Sequence, residues 1–271
     1  MQIIAASKTF PPEAIAGAIS CGQTAFGENY VQEALEKMAA LPDGVAWHAT
    51  STSAGGRDSE TDVRHSAGVR PRNVDGASRE AVERAQQSAS AVARSTALRS
   101  GALSPQAGLL LRPLEWHMIG PIQSNKTREI AEHFDWVHSV DREKIARRLS
   151  EARPASLPAL NVCIQVNVSG EASKSGVEPG ETLALAQRVA QMPRLRLRGL
   201  MAIPEPSDDP AVQRARFRSL RELRDRIAGA GIAMDTLSMG MTDDLESAIA
   251  EGATMVRVGR AIFGDRARKR G

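Results

Sequence analysis

Of the six lysines in this 271-residue chain, Lys8 stands where a lysine can do chemistry. The run from Gln2 to Ser7 is apolar and reads as a buried strand, so Lys8 follows directly on a strand end. Desolvation there disfavours the ammonium form and leaves an amine fitted to Schiff-base chemistry. A lysine in that position also serves as a plain rim charge, and the position alone does not choose. Two further stretches have a matching form. Ser238-Met239-Gly240-Met241-Thr242 and Arg257-Val258-Gly259-Arg260 each place a glycine between an apolar run and a helix start. Glycine lets backbone N–H groups approach an anion closely. Ser238, Gly240, Gly259 and Arg260 therefore outline a phosphate cup, with ordinary turn geometry as the competing reading. Strand alternation puts 257 and 259 on one face and 258 and 260 on the other, so the chain must turn at Gly259 for both arginines to serve one ligand.

The elements that must bring these stretches together are legible from periodicity. Short apolar or β-branched runs occur at Gln2 to Ser7, Thr24 to Phe26, Glu115 to Ile119, Trp136 to Ser139, Asn161 to Val168, Leu195 to Ala202, Thr236 to Met239 and Met255 to Val258. Between them lie amphipathic patterns at Pro12 to Cys21, Val31 to Ala40, Lys126 to Glu132, Asp141 to Glu151, Pro179 to Gln191, Asp209 to Gly229 and Asp243 to Glu251. Strands alternating with helices close most economically into an α/β fold, a single-domain (β/α)8 TIM barrel without edge strands. The ends of the barrel strands then share one mouth, where barrels carry function. Lys8 opposite a phosphate cup, with Arg257 at another strand end, suits pyridoxal 5'-phosphate: aldehyde on Lys8, phosphate on the glycines, ring nitrogen toward Arg257. A barrel that binds a phosphorylated metabolite, with Lys8 as a charge partner only, satisfies the same spacing.

One stretch breaks the alternation. Residues 42–113 contain one aromatic residue, no lysine, ten serines and only a weak alanine-rich helical pattern near Ser78 to Arg94. Such a composition buries too little apolar area to offset its ordering entropy. It reads as a disordered or loosely helical insertion after the second helix. The expected organisation is thus 1–41 and 114–265 as the two parts of the barrel, 42–113 as the insertion and 266–271 as a basic tail.

The composition, 42% hydrophobic and 25% charged, is that of an ordinary globular protein, and no apolar run approaches membrane-spanning length. The first residues have no basic leader, which points to the cytoplasm. A net charge of +3 comes mostly from scattered arginines among acidic residues, and with 3% aromatics this excludes a stacking nucleic-acid surface. Cys21 and Cys163 are too few and too distant for a disulfide framework or a metal site. His133 and His138, five apart across a helix-to-strand junction, lack metal-pair spacing and read as surface or packing residues. His117, on a strand leading to the mouth, can support the site from behind. Asp243 and Asp244 read as helix caps. Met118, Met201, Met239 and Met241 read as barrel filling, with Met239 near enough to touch a ligand.

Ser7-Lys8-Thr9, the Phe26-Gly27-Glu28-Asn29-Tyr30-Val31-Gln32-Glu33 stretch, Trp116-His117-Met118-Ile119-Gly120-Pro121 running on to Lys126, Ser238-Met239-Gly240-Met241 and Val256-Arg257-Val258-Gly259 resemble the pyridoxal phosphate homeostasis protein family. That family is related to the alanine racemase barrel of fold-type III. The resemblance covers about 200 residues in the same order. It implies pyridoxal phosphate as cofactor, held as a Schiff base on Lys8. Asn29, His117, Ser238, Met239, Gly240, Arg257, Gly259 and Arg260 would complete the binding residues. There would be no catalytic residue and no metal, and the role would be intracellular cofactor homeostasis without turnover. A monomer is implied, and apo pyridoxal-phosphate enzymes are candidate recipients. The chain departs from the family in starting at the first strand without the usual preceding helix, in the 42–113 segment, and in Arg260, where many members have Ser or Thr. The alternative is an amino-acid racemase. That reaction needs a second base and a second β domain, for which the 13 residues from Gly259 to Gly271 leave no room. An arginine at the ring nitrogen would also keep the ring a poor electron sink.

Overall fold

Each apolar run forms the strand expected of it. The computed structural model describes residues 1–41, 114–170 and 175–264. In it, β1 (Gln2–Ala6), β2 (Ala25–Glu28), β3 (Glu115–Met118), β4 (Trp136–Val140), β5 (Leu160–Gln165), β6 (Leu195–Met201), β7 (Thr236–Ser238) and β8 (Met255–Val258) run parallel in chain order. The sheet closes where β8 pairs with β1, from Gln2 opposite Met255 to Ala5 opposite Val258. The result is a (β/α)8 barrel, as the alternation predicts. Residues 42–113, the Lys174 segment and the basic tail lie outside the described residues, so their expected roles are not addressed by it.

Helices α1 (Pro12–Ser20), α2 (Val31–Ala40), α3 (Thr127–His133), α4 (Glu143–Ala152), α5 (Thr182–Ala190), α6 (Pro210–Gly229), α7 (Leu245–Ala250) and α8 (Arg260–Phe263) follow the strands. Local chemistry sets their starts. Pro12 and Pro210 occupy first-turn positions where a missing N–H costs nothing, and Asp209 accepts from Ala211 N at 2.8 Å. On α6 the residues Phe217, Leu220, Leu223 and Ile227 form the buried stripe.

Strand alternation sorts the apolar residues into two cores. Ala5, Phe26, Val137, Val162, Leu200, Val256 and Val258 face the helices, while Ile4, Ala25, Trp136, Cys163, Met201 and Met255 fill the barrel. Burial pushes the Cys163 thiol up to about 12 despite the opposing pull of Arg198 and Arg257, so it remains an inert apolar filler. The N-terminal end of the barrel is closed by polar contacts: Arg198 lies 4.8 Å from the Trp136 ring centre and forks onto Asp235, and Gln2 donates to Glu115 at 2.6 Å. The opposite end is left for the strand-end loops. There β2 runs two residues beyond the expected Phe26, to Glu28, and β5 ends at Gln165, short of the expected Val168.

Candidate cofactor site at the barrel mouth

Lys8 lies two residues beyond β1 and is half-buried. Ser7 N donates to Gly27 O at 3.0 Å, continuing the ladder, and the Ser7 hydroxyl donates to Glu28 Oε1 at 2.7 Å. Thr9 then takes φ of +69°, a left-handed conformation uncommon for a β-branched residue. Its N–H donates to Glu33 on α2 at 2.5 Å. Asn29, at the neighbouring strand end, is half-buried and its backbone touches the β3 loop. A Cβ at Gly120 would come within 2.3 Å of Asn29 O, so only glycine lets the two loops meet.

Contrary to expectation, Arg257 does not stand opposite Lys8 but on the adjacent strand: β8 pairs with β1, Ile4 opposite Arg257, and Arg257 is buried on the inner face of β8. Its guanidinium donates to Ser238 O and Oγ, both at 2.8 Å, and to Ala202 O at 2.9 Å. These partners stand at the C-terminal ends of β7 and β6, so the cation faces the mouth. No carboxylate among the described residues touches it. Burial lowers its pKa to about 10, which leaves it charged at neutral pH. Ser238 Oγ is also 2.8 Å from His138 Nδ1, and His138 Nε2 is 2.9 Å from His117 Nδ1. Burial, then the neighbouring His117 and Arg257, hold His138 well below the ordinary histidine range and therefore neutral. Arg257 can only donate, so Ser238 Oγ accepts from it and begins a line of polar contacts through His138 to His117. The line ends at His117 Nε2, a buried atom without a hydrogen-bond partner, 3.8 Å from the Glu115 carboxylate. His117 thus reaches the mouth only through His138 and Ser238.

The glycine loops flank this cation. Gly240 has φ of +94°, and a Cβ there would lie 2.5 Å from the Ala248 Cβ, so any other residue would both strain the loop and push α7 away. Arg257 N donates to Gly240 O at 2.9 Å, and Met241 N donates to Asp244 at 2.6 Å. The chain does turn at Gly259, but with φ of −110° it uses no special glycine conformation. Small size is what matters, because a Cβ would sit 3.2 Å from Ala6 O. Arg260 begins α8, is exposed, and forms an ion pair with Asp243 of the opposite loop.

Several expectations are corrected by this geometry. Met239 is fully buried in the core between sheet and helices, so its backbone alone can face a ligand. Arg260 is engaged by Asp243 and does not stand free for a phosphate. Asp244 makes no side-chain cap bond to α7 and instead orders the loop through Met241 N. His138, read as a surface or packing residue, is a buried link between Ser238 and His117; a polar residue on an otherwise apolar strand is the signal that could have found it. Ser7, Glu28, Glu33 and Lys37 were missed as a group, since only the β1–β2–α2 contact brings them together. No group of three or more metal-binding side chains occurs among the described residues, and no described helix is long and apolar enough to cross a membrane.

The model of the alanine racemase N-terminal domain matches residues 12–267. A pyridoxal phosphate homeostasis protein of Vibrio cholerae is 43% identical over 266 residues, covering 98% of this chain and 86% of its own. The chain belongs to the pyridoxal phosphate homeostasis protein family. Another family member, from Pseudomonas aeruginosa, is 67% identical over 165 residues, 61% of this chain and 70% of its own. Among solved structures, PipY of Synechococcus elongatus without pyridoxal phosphate superposes with a TM-score of 0.67 at 30% identity, covering 97% of this chain and 93% of that one. PipY with pyridoxal phosphate bound gives 0.66 at 28% identity, covering 97% and 92%. An alanine racemase of Clostridium difficile, 9% identical with a TM-score of 0.61 over 99% of this chain and 53% of that one, shares the fold.

Proposed function

We propose that this chain binds pyridoxal 5'-phosphate at the barrel mouth, holding it as a Schiff base on Lys8, and serves intracellular cofactor homeostasis without turnover. Its named relatives and the PipY structure with pyridoxal phosphate support the ligand. The observation in this chain that carries the reading is Arg257, a buried charged donor at the mouth end, contacted only by neutral oxygens. An electron-rich ring nitrogen fits beside such a cation. Bound pyridoxal phosphate supplies an aldehyde for the amine and, when its ring nitrogen is protonated, an electron sink. Arg257 opposes that protonation, and His138 behind Ser238, held neutral, is not an imidazolium acid that could supply the proton. The ring is then stored rather than used. The phosphate would rest on the backbone around Gly240 and at the start of α8, with Ser238 and Asn29 bordering the ligand and Gly259 leaving room beside β1. Arg260 adds charge at the rim, shared with Asp243. Apo enzymes that need pyridoxal phosphate are the recipients in this reading, and the protein acts as a monomer in the cytoplasm.

The test is reconstitution with pyridoxal phosphate, borohydride reduction and peptide mapping. The label is expected on the Lys8 peptide, visible absorbance is expected before reduction, and Lys8→Ala should show neither. Label on Lys126 or Lys144, or a colourless phosphate complex, would overturn the assignment. Racemisation of alanine is expected to stay at the buffer rate.

A further inference from the structure

Four polar residues outside the ligand-facing set converge beneath the Lys8 turn. Lys37 on α2 is almost fully buried, and its ammonium donates to Ser7 O at 2.8 Å, to Glu28 Oε1 at 2.7 Å and to Glu33 Oε1 at 2.6 Å. An ammonium has three N–H groups, and all three are used. Glu28 Oε1 also receives the Ser7 hydroxyl, and Glu33 Oε1 also receives the Thr9 N–H. The contacts therefore fall on both sides of Lys8, on the residue before it and the residue after it. Glu28 is wholly buried, with Oε2 lacking a hydrogen-bond partner. A buried ion cluster is an expensive way to gain stability, because desolvation offsets most of the Coulomb attraction. An apolar filling would hold α2 on the barrel at least as well. What an apolar filling could not do is grip a backbone carbonyl at 7 and a backbone N–H at 9 while Thr9 is held at φ of +69°.

We propose that Lys37, with Glu28 and Glu33, is a positioning clamp for Lys8: the cluster never touches the cofactor but fixes the backbone on either side of the amine, so that the side chain enters the mouth within reach of the aldehyde. The clamp rests on the ligand proposed above. It concerns only the covalent step and not the binding of phosphate or ring, which belong to the β7 and β8 loops and share no residue with the cluster. Bond making itself is the ordinary condensation of an amine with an aldehyde, one water leaving for each carbon–nitrogen double bond formed, and needs no further reactant.

That separation gives the test. Pyridoxine 5'-phosphate has the ring and phosphate but no aldehyde, so it reads the non-covalent site alone, whereas the rate of borohydride-trappable label on Lys8 with pyridoxal phosphate reads the amine's placement. Glu33→Ala, which removes the Thr9 contact from a part-exposed position, and Lys37→Met are compared with the unsubstituted full chain, with circular dichroism and thermal unfolding as folding controls. The expected result is a fall of tenfold or more in the trapping rate for Glu33→Ala and a larger one for Lys37→Met, with pyridoxine 5'-phosphate affinity changed less than twofold in Glu33→Ala. If Lys37→Met does not fold, Glu33→Ala decides. A folded Glu33→Ala that traps at the normal rate overturns the clamp, as does one in which trapping and pyridoxine 5'-phosphate affinity fall together. Absence of label on Lys8 in the unsubstituted chain overturns the ligand reading and the clamp with it, an outcome distinct from normal labelling in every variant.

Discussion

Two adjoining regions of the barrel mouth, joined where β8 pairs with β1, each hold a basic side chain by opposite means. On the β1–β2 side, the backbone around Lys8 is fixed by ionised groups: two carboxylates and the saturated ammonium of Lys37. On the β7–β8 side, Arg257 is held by a hydroxyl and two carbonyls, with neutral His138 behind them. The difference follows from what each side must leave available. A carboxylate on Arg257 would neutralise the cation before any ligand arrived. In the proposed reading the amine of Lys8 has instead to be aimed, and the charged contacts on its flanking backbone would aim it.

This contrast can be broken in order of expected effect. Lys37→Met removes one partner of a buried pair and leaves Glu28 uncompensated, so it should cost about 3–5 kcal/mol in urea unfolding. Arg257→Met leaves carbonyls at 202 and 238 without a donor but strands no opposite charge, and should cost about 1–3 kcal/mol. Equal losses would erase the distinction between an ionic and a dipolar side. The Arg257 variant should nevertheless suffer the greater loss of pyridoxine 5'-phosphate binding.

A third effect comes from His138. Its folded pKa lies well below that of the unfolded chain, so between the two values the unfolded state binds the extra proton. Stability is therefore complete above pH ~6.5 and falls as the pH drops below it, at up to about 1.4 kcal/mol per pH unit from this group. Unfolding free energies from pH 7 to pH 5 should show that slope, and His138→Gln should be flatter by about that amount; an unchanged slope would mean that the ring charges in place. The smallest effect is expected at the rim. Arg260→Ala breaks an exposed ion pair with Asp243, so its thermal midpoint should stay within error and pyridoxine 5'-phosphate affinity should drop less than about fivefold, the worth of an exposed charge contact.

The glycine side of this mouth was readable from the sequence, and the ionic side was not. Gly240 and Gly259 sit at strand ends next to helix starts, a local pattern, and Arg257 follows from alternation along one strand. Lys37 carries no such signal: a lysine on an amphipathic helix is ordinarily solvated, and its burial depends on α2 lying across the ends of β1 and β2. His138 was set aside because metal spacing was the wrong test for it, whereas its alternation with Trp136 on β4 places it inside the barrel. Arg260 was assigned by proximity in sequence, and the Asp243 contact that claims it arises between two different loops. Residues placed by their own strand or loop were located from the sequence; those placed by contacts between elements needed the fold.

Trp136 gives the barrel interior an optical consequence. Its indole stacks on His117 with ring centres 5.6 Å apart and lies 5.8 Å from the His138 ring, on the same hydrogen-bonded line that leads to Ser238 and Arg257. Pyridoxal phosphate absorbs where indoles emit, so energy transfer from Trp136 and Trp116 should dim intrinsic fluorescence as the mouth fills. In a Trp47→Phe background these two are the only indoles of the chain, and with excitation to the red of tyrosine absorption loading and release could be followed in real time in unlabelled protein.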